Sequence, residues 1–458
     1  MNTFLISINN LGPIKSAHFT ASHFNVLCGK NNSGKTICLH TIFCFFKYWR
    51  SRIHLEAESS LVDALMKGEK VPFDMGKYFG NYNDALGRSM ERFVNMLPRF
   101  LNRNPDHFRG CSINIKISDE YLKHMSQRPL RVRSTMSSSH VMRIRKDENT
   151  CGAVVWIEGS KEDNGHYPDR SAIYSALNGL LSFALFDCLL PNPYLLTAER
   201  SGSIMYGDGL RTSKFIASQE QNSNDSSQSD EGIKYAKPYI AELEEIWSAQ
   251  ASISGKRDIM DSPVIMEILE KFNANVAGGS YTNKDNHFYY TQENSDKVVL
   301  VQEASTSVRA LTQLSCFIER VADDGGLLMI DEPELNLHPE RQRALTRLLA
   351  MLASQLGVGV VLSTHSDIIV RELNTLLVFG SSQSDYIPLM AKFNYSDKEV
   401  LPPSNVACGV VDAGSITQLP MEGARGFVVS TFDDTYDDIN RVQDAIISQW
   451  EDQREETK

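Results

Sequence analysis

Cysteine is scarce and scattered in this 458-residue chain: eight residues, at 28, 38, 44, 111, 151, 188, 316 and 408, with no CxxC and no histidine-spaced pair. That excludes a zinc framework of the usual kind and a secreted disulfide scaffold, and favours a reducing compartment. Long apolar runs are missing too. Ile37–Phe46 and Ala176–Leu190 are too short, or too interrupted by Asn178, Ser182 and Asp187, for the roughly 20 residues a bilayer span needs. No basic stretch followed by an apolar core and a cleavage site opens the chain, so no signal peptide is expected and the location expected is cytoplasmic, away from membranes. The composition, 42% hydrophobic and 22% charged, is ordinary for a globular protein with a real core.

The net charge of −11 hides an uneven distribution. Residues 1–150 hold 22 Lys/Arg and 12 Asp/Glu, a surplus of 10, so the rest carries −21. Within Arg99–Lys146 the balance is 11 basic to 3 acidic. An acidic total therefore does not exclude a polyanionic partner.

Phe4, Ile6 and Ile8 alternate as on a strand, with Asn9-Asn10 and Gly12-Pro13 as turn residues. A second apolar run, Phe24–Cys28, leads directly into Gly29-Lys30-Asn31-Asn32-Ser33-Gly34-Lys35-Thr36, followed by a helix-like stretch to about Trp49. This is G-x-x-x-x-G-K-[ST] in the required strand-to-helix context. Gly29 and Gly34 let the backbone curl, so that amides across Asn31, Asn32 and Ser33 point at phosphate oxygens. Lys35 is expected at the β- and γ-phosphates and the Thr36 hydroxyl on Mg²⁺. A glycine turn that matches by chance is the bland alternative.

Two further strand ends carry polar groups. Leu327–Ile330 reads as a buried parallel strand, followed by Asp331 and Glu332. Asp331 is the expected second Mg²⁺ ligand, and Glu332 the group that orients or deprotonates a water. Leu345, Leu348, Leu349, Leu352 and Leu356 recur at helix spacing behind Pro339, with Gly357 as a stop, before a second buried run at Val358–Leu362. His365 follows in Ser363-Thr364-His365-Ser366-Asp367, where ligands bind in open α/β sheets, and is expected to contact the γ-phosphate. Strand, helix, strand in this order implies an α/β sheet.

The P-loop, Asp331–Pro339 (DEPELNLHP) and Ser363-Thr364-His365 together resemble the ABC-type ATPase heads of the RecF, SMC and OLD-like families. They are most similar to ATPases of bacterial anti-phage defence such as that of the Septu system. Ile6–Ile14 is similar to the first strand of those heads, and Tyr194–Gly202 (YLLTAERSG) to a strand and loop of the defence members. The resemblance covers roughly residues 1–50, 190–205 and 300–380. It implies a P-loop ABC-type head, with a parallel core and antiparallel N-terminal strands, a large α+β insertion and a helical C-terminal tail. It also implies ATP and Mg²⁺ as cofactors, and head-to-tail dimers in which one subunit's signature helix completes the other's site. The signature candidate is Ala304–Leu311, where Ser305 and Ser307 would reach the γ-phosphate from a helix N-terminus; the family usually has glycine where Ser307 stands. Asn336 and His338 would face the partner subunit.

The expected division is 1–50 (first lobe of the head), 51–190 (basic insertion), 191–217 (return to the head), 218–235 (polar linker), 236–303 (helical arm and hairpin), 304–380 (head) and 381–458 (C-terminal strand and helix tail). Met421-Glu422-Gly423 resembles the start of a TOPRIM nuclease strand, but the pairs Asp433-Asp434 and Asp437-Asp438 read as an acidic helix start, and no HNH spacing occurs. No intrinsic nuclease is therefore expected. The resemblance implies a regulatory ATPase that assembles with a separately encoded effector nuclease, HNH-type in the nearest system. In the insertion, Pro129–Arg133 and Val141–Arg145 alternate with period two, putting Arg131, Arg133, Arg143 and Arg145 on one face of a hairpin. That face is a nucleic-acid backbone contact, a solvated surface, or a patch that meets the acidic half of a neighbouring subunit. The alternative to the defence reading is a DNA-repair ATPase gripping duplex DNA through it.

Overall fold

The computed structural model describes residues 4–49, 53, 55–137, 140–159, 167–220, 236–251, 262–323, 325–381, 383–429 and 440–446. Strands β1 (Phe4–Leu11), β2 (Ile14–Ala21) and β3 (Phe24–Gly29) open the chain. The next region supplies β4 (Val71–Asp74), β5 (Ser112–Ile117), β6 (Leu130–Thr135), β7 (His140–Lys146), β8 (Gly152–Gly159) and β9 (Asn192–Leu196). There follow β10 (Gly279–Lys284), β11 (His287–Gln292), β12 (Val298–Leu300), β13 (Gly326–Asp331), β14 (Gly359–Thr364), β15 (Val406–Asp412) and β16 (Ser415–Gln418).

The fold is α/β, built on a nine-stranded mixed sheet in the order β5-β1-β2-β16-β15-β3-β14-β13-β9. From β15 to β9 every pairing is parallel, which places the carboxyl ends of β3, β13 and β14 side by side. The N-terminal strands β1 and β2 are antiparallel, as expected. Both faces of the parallel part are covered. Leu27, Leu327, Met329 and Val361 pack into one hydrophobic cluster with the helices Lys35–Cys44 and Arg170–Leu189. Their sequence neighbours Val26, Cys28, Leu328, Ile330, Val360 and Leu362 pack into a second cluster with Thr306–Arg320, Pro339–Leu356 and Asp367–Ser381. Burial on both faces is why these strands read as unbroken apolar runs. The helix Pro339–Leu356 starts and stops as its sequence requires: Pro339 at its first turn and Gly357 left-handed at φ 69°.

Three regions are organised differently from the sequence reading. Within 51–190, β5 pairs with β1, so this segment extends the principal sheet as well as forming its own antiparallel sheet, β4-β8-β7-β6. In 236–303 the expected hairpin is present as β11 with β12, and β10 adds to it as a third strand. Residues 381–458 supply more than a tail. β15 lies parallel to the P-loop strand β3, and β16 joins it to β2. The helix Arg200–Glu220 runs into the expected linker at 218–235; residues 221–235 and the acid pairs at 433–438 lie outside the described residues. Among the described residues no helix is long and apolar enough to cross a membrane.

Candidate functional site

Gly29 ends β3 at φ 144°, and a Cβ there would lie 2.3 Å from the Val411 carbonyl oxygen of β15. Only glycine lets the loop leave the sheet between its two neighbours. Asn32 (φ 60°) and Gly34 (φ 108°) continue the curl into the helix Lys35–Cys44. Asn31, Asn32, Ser33, Gly34, Lys35 and Thr36 line one wall of an open cleft of about 550 Å³, with Glu332 and His365 on the other. Lys35 is 5% exposed, and its ammonium donates to the carbonyls of Gly29 (2.9 Å) and Lys30 (2.8 Å). Burial lowers its pKa against the opposing pull of Glu332, Glu334 and Asp331.

Asp331 is fully buried at the end of β13. Its Oδ1 accepts from the Thr36 hydroxyl at 3.2 Å and, more closely, from the Ser363 hydroxyl on β14. Its Oδ2 has no hydrogen-bond partner among the described residues and lies 3.9 Å from Nε2 of buried His40, whose pKa burial lowers to about 4. A hydroxyl and a carboxylate with a free buried oxygen fit Mg²⁺, which binds few protein groups and takes its remaining ligands from water and phosphate. No group of three or more His, Cys, Asp or Glu able to hold a metal occurs among the described residues.

Glu332 is left-handed at φ 50°, and its amide donates to the Ser363 carbonyl at 3.0 Å. Burial raises its carboxyl pKa, with His365 opposing and Asp331 and Glu334 adding to the rise. His365 stands between two carboxylates: Nδ1 is 3.6 Å from Glu332 Oε1, and Nε2 is 3.7 Å from Glu334 Oε1. Its backbone amide donates to Glu334 Oε1 at 2.8 Å. The structure thus brings together the P-loop, Asp331, Glu332 and His365.

Ser305 and Ser307 are not among the residues lining this cleft. Ser305 caps the helix Thr306–Arg320, accepting from the Val308 amide, and its hydroxyl lies 3.0 Å from that of Ser307. Asn336 is left-handed at φ 63°, and His338 caps the helix Pro339–Leu356. Arg131, Arg133, Arg143 and Arg145 lie on the separate β6–β7 hairpin.

Sequence reasoning passes over several groups that shape the site. Buried Arg200 donates to the carbonyls of Thr197, Asp331 and Glu332, each at 2.9 Å. Buried Glu242 accepts from the Thr197 amide and hydroxyl (2.7 and 2.9 Å) and from the Ser203 hydroxyl (2.7 Å). Burial raises the Glu242 pKa and lowers that of Arg200, each partly offset by the other's charge. Arg103, exposed, adds a guanidinium to the cleft lining. Arg200 falls in the resemblance-bearing segment Tyr194–Gly202, but no spacing rule connects it to Asp331.

Residues 204–370 match the family model of the AAA ATPase domain, a span that includes β13 and β14 but begins after the P-loop. No curated protein matches the chain. Among solved structures the chain is similar to an Smc head bound to the C-winged helix domain of ScpA, with 12% identity and a TM-score of 0.37, covering 92% of this chain and 99% of that one. It is also similar to the Smc head domain with an extended coiled coil, bound to the C-terminal domain of ScpA, from Pyrococcus furiosus (11% identity, TM-score 0.34, 96% and 99% covered). A third is the SMC head domain from Thermotoga maritima (10% identity, TM-score 0.31, 92% and 100% covered).

Proposed function

We propose that the chain is an ATPase of the ABC-type head class that binds ATP with Mg²⁺ at the cleft between the P-loop and the ends of β13 and β14. The observation that carries this reading is the meeting, in one cleft, of Lys35, Thr36, Glu332 and His365, with Asp331 bonded to Thr36 behind them. The amides of Asn31–Gly34 and the Lys35 ammonium take the phosphate tail. Thr36 and Asp331 would hold Mg²⁺, which supplies charge neutralisation to the β- and γ-phosphates. Glu332 accepts the proton of a water whose oxygen bonds to the γ-phosphorus as the bond to the β,γ-bridging oxygen breaks. His365, held between two carboxylates, donates to the γ-phosphate. The test is phosphate release from Mg²⁺-ATP by the purified chain. Release is expected from the native protein and not from Lys35→Ala; equal release from both would refute the assignment.

The reading extends to assembly. Ser305 and Ser307 sit at a helix N-terminus outside their own protomer's cleft, which supports their use in trans, on the nucleotide of a second copy. Light scattering should show a rise in mass with a non-cleavable ATP analogue. The likeness of Asp331–Pro339 and Tyr194–Gly202 to defence ATPases supports a role in anti-phage defence, controlling a separately encoded effector nuclease. Co-purification with the product of an adjacent reading frame tests that step.

A further inference from the structure

The sheet β4-β8-β7-β6 contributes no residue to the nucleotide cleft. Its inner face is apolar: Leu130, Met142, Ile144, Ala153 and Val155 are buried in the core. Strand alternation sends their neighbours to the opposite side. In the observed register Arg133 lies across from Arg143, and Arg143 across from Trp156. One row further, Arg131 faces Arg145, which faces Val154. Lys70 Nζ lies 5.5 Å from the centre of the Trp156 ring. Trp156 is thus an aromatic set among cations, 11 residues beyond Arg145 in sequence and brought beside Arg143 only by the third strand.

This arrangement is not one that stability favours. Like charges directly opposite each other destabilise a strand pair, and here two such pairs are adjacent. Relief is partial. Arg143 meets Glu158 at 2.6 Å and Arg145 meets Asp147 at 3.0 Å, but both acids are more than half exposed, at 59% and 68%. Exposed pairs of that kind are weak and easily exchanged. Arg131 and Arg133 are exposed, with no ion-pair partner among the described residues.

We propose that this outer face binds single-stranded nucleic acid, with Trp156 stacking on an unpaired base and Arg131, Arg133, Arg143 and Arg145 taking flanking phosphates. Charge complementarity selects a polyanion, and an aromatic residue in register with an arginine on that face selects a base free to stack. A duplex hides its base faces, so it would use the arginines and not the ring. The inference is independent of the ATPase reading.

The test uses the full chain and fluorescein-labelled 20-mers of dU and rU, with a duplex as control, followed by anisotropy at several salt concentrations. Four phosphate contacts give a log–log salt slope of about −3 for single strands, and Arg131→Ala/Arg133→Ala should reduce it to about −1.4. Trp156→Ala should weaken single-strand binding by roughly fivefold or more, with Trp156→Phe recovering most of it and duplex binding unmoved. Thermal melts establish that each variant folds. Binding of either 20-mer with these responses supports the proposal, and the tighter of the two names the sugar. It is overturned by no binding to either strand at low salt, by Trp156→Ala binding as the native chain does, or by arginine variants that dissolve an oligomer without changing nucleic-acid affinity.

Discussion

Replacing Arg200 by Met tests how the candidate site is held. One guanidinium, 4% exposed, ties the loop after β9 to both residues at the end of β13 through the Thr197, Asp331 and Glu332 carbonyls. Bonds from a charged donor contribute about 1.5–3 kcal/mol each, but three on one side chain do not sum, since carbonyls keep a second lone pair. The loss of charge adds to the loss of these bonds. Without Arg200, buried Glu242 loses the one cation among the leading influences on its titration. Removing this buried charged donor leaves three carbonyls short of a partner, and a loss of about 1.5–3 kcal/mol is expected at pH 7, read from the urea midpoint by tryptophan fluorescence. The pH dependence has a definite sign. Burial already holds the Glu242 carboxyl above its ordinary value, and loss of Arg200 pushes it higher. A carboxyl raised on folding contributes its stability below the unfolded value of about 4.3, and loses it as pH rises through the folded value. The deficit should therefore shrink between pH 7.5 and pH 5. Adding Glu242→Gln should recover part of it, by roughly 0.5–3 kcal/mol of coupling. A deficit below about 1 kcal/mol, one that grows on acidification, or a double variant no better than additive would refute the reasoning.

Other outcomes follow from the same geometry. Lys35→Ala should weaken ATP binding at least about tenfold by titration calorimetry, since a charge-assisted contact to phosphate is lost; unchanged affinity would contradict the P-loop role. Glu332→Gln should leave binding intact while cutting phosphate release roughly 10²-fold or more, and should accumulate an ATP-loaded oligomer visible by light scattering. Gly29→Ala must push β15 away from β3 or distort the loop, because its Cβ would lie 2.3 Å from the Val411 oxygen. A loss of about 1–3 kcal/mol together with weakened nucleotide binding is expected, and a thermal midpoint equal to the native one would count against the packing account.

The parts of this fold legible in the sequence are those fixed by local rules. The P-loop, the apolar runs of β3, β13 and β14, and the helix from Pro339 to Gly357 each declare themselves within about 20 residues. Contacts made across long separations do not. β15 carries an apolar pattern, yet nothing local says that it pairs with β3 some 380 residues earlier, and so the need for glycine at 29 reads locally as loop curvature alone. The β6–β7 hairpin is visible because its two strands lie close together in sequence, whereas Trp156 enters the arginine face only through the next strand. Arg200 and Glu242 escape notice for a different reason. Their function is to bond backbone carbonyls, amides and hydroxyls, and such partners leave no residue-type signature.

The same distinction explains how Glu332 can be both half-buried and fixed. Its left-handed backbone costs about 1 kcal/mol or more for a residue with a Cβ, so neighbouring bonds must hold it. Its amide is bonded to the Ser363 carbonyl of β14, and its own carbonyl accepts from Arg200 and from the Leu335 amide at 3.1 Å. The turn is thereby pinned from β14 on one side and from the loop after β9 on the other, which aims the carboxylate beyond the sheet edge while Asp331 stays inside it. If Glu332 is the proton acceptor proposed above, one placed this way would need no rearrangement when charge develops at a phosphate. The strain at Glu332 and the buried cation at Arg200 are then two sides of one device, and weakening either should displace the carboxylate before it disturbs the P-loop.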